Sequence, residues 1–384
     1  MQDVAFATTE KTVLLRRPAA TRSPASLLPP PVRLDHALAP RDRQAITAPL
    51  KSAVVSQHFP VLDTWRGTAI TLLMVGHFLP VKLIDCGTLG VELFFVLSGF
   101  LMGRILFVKQ TPLGLFYQRR ISRIFPAAYT FLILVLAYQW YATAGSEPSL
   151  SSTASCLLFY LNYYVALDPT VDLGLPVGHF WSLCVEEHTY IFLSGLAMIH
   201  RRKGVSPLLL IGAAILASFS LSIVIGVCQD WDAYKVYWRS DCRAASILCG
   251  ALAAYLVHQG TGRRKSYLQV PSIAWGLVAV AFGILFRLGF MPELVKHSMG
   301  TLGLATGLLL IAQHGRGAVW ACPPLMWMGT ISFSVYLWQQ PFYHAVKRGE
   351  MGTVFAISAS LIVGTISYFL VERPVRAWLN KRWA

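Results

Sequence analysis

The chain of 384 residues is 55% hydrophobic and only 13% charged, with a mean hydropathy of +0.54, whereas a soluble domain carries about a quarter charged residues. That composition excludes an ordinary soluble domain and calls for an integral membrane protein. The net charge of +15 does not point to nucleic acid, because the cations are scattered over loops between apolar segments and form no soluble face with interleaved aromatics; anionic lipid and an anionic cytosolic substrate account for them better.

Residues 1–57 are dominated by Ala, Pro, Ser and Arg (Arg16-Arg17-Pro18, Pro29-Pro30-Pro31) and contain no apolar stretch long enough to insert. They read as a disordered cytosolic tail ahead of a membrane domain at 58–384. The tail is Arg-rich as transit peptides are, but Asp3 and Glu10 count against import, and no cleavable signal peptide is evident. Mostly apolar windows then recur at 68–84, 90–108, 125–144, 180–200, 207–227, 242–258, 272–290, 297–313, 330–346 and 353–371. The predicted fold is therefore all-α, a polytopic membrane bundle of about ten transmembrane helices. A piece near 152–167, short and rich in Ser, Asn and Tyr, suits a re-entrant or interfacial helix; if it crosses, the odd count moves the C-terminus outside. The positive-inside rule puts both termini in the cytoplasm, with Arg119/Arg120/Arg123, Arg201/Arg202/Lys203, Arg263/Arg264/Lys265, Arg316 and the cations from Arg373 on one side.

The first span carries Arg66 and His77. Eleven residues are about three turns, so the two share a helix face roughly 16 Å apart along the axis. An imidazole that deep in a membrane is either a base facing the bundle interior or a group bonded to a neighbouring helix. The second span opens Gly90-Val91-Glu92 and contains Ser98-Gly99 in mid-membrane. Glu92 is a site carboxylate or an interfacial acid, and Ser98-Gly99 is a site or a packing notch. At the start of the third span Arg120 and Arg123 stand three apart and present two guanidinium forks together, an arrangement suited to phosphates; for Arg119, membrane anchoring is the simpler role.

The fourth span starts His179-Phe180-Trp181-Ser182-Leu183-Cys184-Val185-Glu186-Glu187-His188. Adjacent helical residues diverge by about 100°, so Glu186 and Glu187 should not share one pocket. Glu186 is expected near His77, orienting the imidazole as the acid of a triad does, and Glu187 to cap the helix. Arg243 opens a later span, Ser332 to Pro341 adds a polar turn that includes Tyr336 and Gln339, and Glu372-Arg373 reads as a structural cytosolic cap and ion pair. The seven cysteines show no metal-ligand spacing, although a Cys228–Cys242 bridge across one outer loop remains open. No phosphate-binding Gly-rich loop, nucleophile elbow or HExxH is present.

Taken together, the Arg66/His77 spacing, the Phe94-Phe95-x-Leu97-Ser98-Gly99-Phe100 string, Arg120/Arg123, Trp181-Ser182-Leu183-x-x-Glu186, Ser334-x-Tyr336-Leu337-Trp338 and Glu372-x-Pro374 resemble the acyltransferase-3 family of bacterial integral-membrane O-acyltransferases over about residues 60–378. The resemblance implies an inner-membrane enzyme with no bound cofactor. It would use acyl-CoA as co-substrate, acetyl-CoA first and succinyl as an alternative, and acylate a carbohydrate hydroxyl on exopolysaccharide, lipopolysaccharide or a lipid-linked glycan, alongside glycan biosynthesis or export machinery. It makes His77 the general base or transient acyl carrier, with Arg66 and Glu186 in the catalytic set, and has Arg66, Arg120 and Arg123 bind or gate the donor's phosphates. Ser98 falls on the donor side; Glu92, Arg243, Tyr336 and Gln339 fall on the acceptor side, and Ser98, Tyr336 or a span arginine would serve a developing oxyanion. Two departures stand out: the family often has His at Gln339, and often Asp where Arg243-Ala244-Ala245 ends. No esterase-like domain follows the spans, so the chemistry is expected within the bundle. Two rivals are a transporter or flippase with a His77/Glu186 proton relay, which lacks the internal repeats of such folds, and a non-catalytic export scaffold.

Overall fold

In the computed structural model the described residues are 60–142, 149–168, 170–228, 236–260, 269–288, 291–314 and 322–383. The tail 1–57 and the loop cations Arg263, Arg264, Lys265 and Arg316 lie outside them. Helix α1 spans Pro60–Phe78, α2 Cys86–Gly103 with a π-helical turn Arg104–Val108, and α3 Leu113–Ala142. Two short helices follow, α4 Leu150–Leu157 and α5 Leu161–Leu167. Then come α6 Phe180–Lys203, α7 Pro207–Cys228, α8 Ser240–Gly260 and α9 Gln269–Leu285. A π-helical turn Lys296–Gly300 leads into α10 Thr301–His314; α11 is Pro323–Lys347, and α12 Thr353–Ser367 runs through a π-helical turn Tyr368–Glu372 into α13 Arg373–Arg382.

Each apolar window of the sequence thus falls on a helix. Among the described residues five helical stretches, Cys86–Val108, Leu113–Tyr141, Pro207–Cys228, Ser240–Gln259 and Thr353–Arg382, are long and apolar enough to cross a membrane by length and composition. Helices α1, α6 and α11 match them in length at 19, 24 and 25 residues, but carry the polar side chains described below. The first helix begins eight residues before its predicted window. Pro60 supplies a preset φ at its first position and Asp63 favours the positive N-terminal dipole, while Pro80 ends it early. Helices α4 and α5, of 8 and 7 residues, are too short to cross ~30 Å of hydrocarbon. They are separated at Phe159, whose φ is +55°.

The bundle turns its apolar surface outward. Leu209, Leu216, Val224 and Val227 of α7 and Val354, Phe355 and Ile362 of α12 are exposed, as lipid-facing positions should be. Inside, small residues let backbones touch. A Cβ on Gly99 of α2 would stand 1.8 Å from the Ile247 carbonyl oxygen of α8, and one on Gly67 of α1 1.8 Å from the Leu325 carbonyl oxygen of α11. Close crossings of this kind draw α1, α2, α8 and α11 together. All seven cysteines are free, so the bridge across the outer loop does not form: Cys242 is buried in α8 while Cys228 is exposed at the end of α7.

Candidate active site

Helices α1, α2, α3, α6 and α11 surround a cavity of about 90 Å³ whose lining includes Arg66, Arg120, Arg123, Glu186, Ser98 and Tyr336. Six residues singled out in the sequence, from five helices, therefore meet in one place. Arg120 organises it. Its Nη2 donates to Glu187 Oε1 at 2.9 Å and lies 3.9 Å from Glu186 Oε2, and its guanidinium sits 3.9 Å from the centre of the Tyr190 ring, within cation–π range. The Tyr190 hydroxyl shares a hydrogen bond with Ser98 Oγ. The two acids do diverge: Glu186 lines the cavity and Glu187 does not. One guanidinium nevertheless reaches between them, so Glu187 is an ion-pair partner and not a helix cap. Arg66 Nη1 is 3.4 Å from Asp63 Oδ1. Arg119 is exposed, in keeping with anchoring. Ser98 and Gly99 divide the two roles expected of them, since the glycine makes the α2–α8 crossing and the serine faces the cavity.

Glu372, read as a cytosolic cap, is instead buried at 3% exposure and accepts a hydrogen bond from Ser334 Oγ at 2.8 Å. The π-helical turn that holds it rotates the carboxylate inward, where Arg123, Arg376 and Arg66 are its electrostatic neighbours.

His77 belongs to a second neighbourhood at the other end of α1. Its Nδ1 is 2.8 Å from Gln339 Oε1, and its ring stacks on Tyr343 with centroids 4.8 Å apart and planes at 24°. The expectation that Glu186 orients this imidazole is therefore corrected: Gln339 occupies that place. Glu186 lies seven residues along α6 from His179, about 10 Å at the helical rise, at the level of Arg120. His179, the residue just ahead of α6, is the group there that neighbours His77 electrostatically. It is 4% exposed, and neither ring nitrogen has a hydrogen-bond partner. Its carbonyl accepts from the Tyr336 hydroxyl at 2.7 Å, and that hydroxyl is 2.6 Å from Ser182 Oγ. Tyr336 thus touches both the cavity wall and the His77 neighbourhood.

A third cluster holds Glu92 and Arg243, which the sequence analysis assigned to the acceptor side. Glu92 is fully buried; Arg243 Nη2 donates to its Oε2 at 2.6 Å, Arg287 Nη2 lies 2.8 Å away, and Thr301 Oγ1 donates to Oε1 at 2.5 Å. Arg243 Nη1 also donates to His297 Nδ1 at 2.5 Å. Glu92 is thus neither interfacial nor solvated. Sequence reasoning missed Arg287, His297 and Thr301; the available signal was Arg287 itself, a lone cation closing the apolar run Leu285-Phe286-Arg287-Leu288.

A family model described as an acyltransferase domain matches residues 59–371. Among curated proteins, the chain is similar to the peptidoglycan O-acetyltransferase OatA of Listeria monocytogenes, 24% identical over 356 residues, covering 83% of this chain and 56% of the relative. It is similar to the O-acetyltransferase OatA of Staphylococcus aureus at 24% over 348 residues, covering 83% and 57%. The chain spans little more than half the length of these relatives. No solved structure matches it.

Proposed function

The chain belongs to the acyltransferase-3 family, and from that premise we propose that it is a membrane O-acyltransferase moving acetyl from acetyl-CoA to a hydroxyl of a cell-surface or lipid-linked carbohydrate. The observation that carries this reading is the cavity where Arg66, Arg120 and Arg123 meet a single lining carboxylate, Glu186, at the end of the bundle where α1 begins. Guanidinium forks are the side chains best matched to phosphates. With both ends of the bundle in the cytoplasm, as the loop charges favour, this end faces the cytosol, where acyl-CoA is found. His77 then lies toward the opposite face, on the acceptor's side.

In the reaction His77 takes the proton of the acceptor hydroxyl. The oxygen attacks the thioester carbonyl, the carbon–sulfur bond breaks and the thiolate leaves as the ester forms. Charge developing on the carbonyl oxygen needs a donor, and the Tyr336 hydroxyl, between the cavity and the His77 neighbourhood, is the group we assign to it, its proton turning there from the His179 carbonyl. Peptidoglycan, the substrate in the Listeria relative's name, joins exopolysaccharide, lipopolysaccharide and lipid-linked glycans as candidate acceptors.

The test is mass spectrometry of surface and secreted glycans from cells lacking the gene, complemented with wild type or His77→Ala. Loss of an acetyl increment, restored by wild type alone, supports the reading and identifies the acceptor. Unchanged acylation with altered glycan export would replace it by the transporter alternative.

A further inference from the structure

Because Oε1 of Gln339 can only accept, the nitrogen of His77 facing it must carry the proton. A glutamine amide alone would leave this open, since its two ends are nearly isosteric and either could turn toward the imidazole. Here the two ends of the amide take different neighbours. Gln339 Nε2 donates to Gln340 Oε1 at 3.0 Å, and Gln340 Nε2 lies 3.3 Å from His344 Nε2. An amide nitrogen can only donate, so His344 Nε2 is the acceptor that terminates the chain. The reversed set, with His344 donating from Nε2, would turn the NH2 of Gln339 toward His77 and leave His77 Nε2 protonated and useless as a base, so the direction in which these amides are placed is what selects the tautomer. The spacing of one helix produces the device: Gln339 and Tyr343 are four apart and both meet His77, while Gln340 and His344 are four apart and meet each other.

We infer that Gln339 is a positioning residue which, held by Gln340 and His344, fixes His77 with its proton on Nδ1 and its lone pair on Nε2, so that Nε2 is the nitrogen that takes the acceptor's proton. The inference rests on the transferase reading. It assigns the work done by a carboxylate in a triad to a neutral amide. Gly87 carries no side chain against the Cδ2 edge of the ring, where even a Cβ would make only ordinary contact, 3.8 Å from His77 Cδ2. Besides Gln339, the groups acting on the imidazole are Asp85 ahead of α2, Lys347 and His344 on α11, and His179 just ahead of α6.

The experiment compares wild type, His77→Ala, Gln339→Leu and Gln339→Glu in membranes that carry the cell's own glycans. Radiolabelled acetyl-CoA is the donor, label is read in the glycan fraction across pH, and gel filtration in detergent reports folding. Leucine removes the acceptor, so turnover should fall roughly 10- to 100-fold with KM for acetyl-CoA unchanged. Glutamate still accepts from Nδ1 and favours the imidazolium, so it should retain activity within about tenfold of wild type and move the acid limb of the profile to higher pH. A role in packing alone predicts the reverse order, with leucine tolerated and a buried charge harmful. Leucine at the wild-type rate, or glutamate with an unmoved acid limb, overturns the inference. Should Gln339→Glu fail to fold, His344→Ala carries the same question: lower turnover at unchanged KM supports the relay, and the wild-type rate overturns it. Wild-type membranes that transfer no more label than His77→Ala would overturn the transferase reading itself, a result distinct from either of these.

Discussion

Replacing Glu92 by alanine should destabilise the bundle far more than an average substitution. The carboxylate is 0% exposed, as is Arg287, and Arg243 is 3% exposed by side chain, with nitrogens 2.6 and 2.8 Å from the same oxygen. At an effective dielectric of 20, each ion pair is worth about 4 kcal/mol at a charge separation near 4 Å. Repulsion between the two guanidiniums and the desolvation already incurred cancel much of the sum. Removing one partner of such a buried set costs about 3–5 kcal/mol, because the remaining charges stay buried. At the few degrees per kcal/mol typical of larger domains, that is a fall in Tm of roughly 5–15 °C, measurable by heating detergent-solubilised protein and following the monodisperse gel-filtration peak. Glu92→Gln keeps an acceptor for Thr301 and should fall between wild type and alanine. If Glu92→Ala melts within a degree or two of wild type, the structural reasoning fails. If it also loses transfer while keeping that stability, the carboxylate serves the acceptor, as the sequence motifs suggested.

Arg123→Ala should raise KM for acetyl-CoA about tenfold, the value of one charge-assisted hydrogen bond to phosphate, with little change in Tm; steady-state kinetics at low and high salt checks this, and an unchanged KM removes Arg123 from the donor site. Arg120→Ala should lower both activity and Tm, since it leaves Glu186 and Glu187 without the cation that reaches both; a variant impaired in KM alone would contradict that double role. Gly99→Val should prevent α2 and α8 from meeting, because even a Cβ would stand 1.8 Å from the Ile247 carbonyl oxygen. Overpacking of this kind costs about 1–3 kcal/mol or more, and a variant with wild-type melting would refute the crossing.

What the sequence made legible follows from what the membrane demands. A span must satisfy its own backbone, so helices can be read from hydropathy alone, and the windows fell on helices throughout. Window edges were poor where a helix begins with polar turns: Asp63 and Arg66 hid the first two turns of α1. The arginine cavity was legible because its members are costly in hydrocarbon and so stand out in apolar runs. Which partner each one takes was not, because pairing depends on helix adjacency and depth. Gln339 lies 262 residues from His77, and Ser334 38 residues from Glu372; no periodicity joins either pair. Glu186 was assigned to His77 on chemistry alone, whereas its seven-residue offset from His179, about 10 Å, already separates it from the His77 neighbourhood. Depth along each helix does not by itself separate the clusters: Glu92 and Glu186 each stand six residues after the first residue of α2 and α6, yet one joins Arg243 and Arg287 and the other Arg120. What decides the grouping is which helices adjoin: Arg66, Arg120 and Glu186 line one cavity, His77 meets Gln339 and neighbours His179 in another place, and Tyr336 is the side chain that touches both.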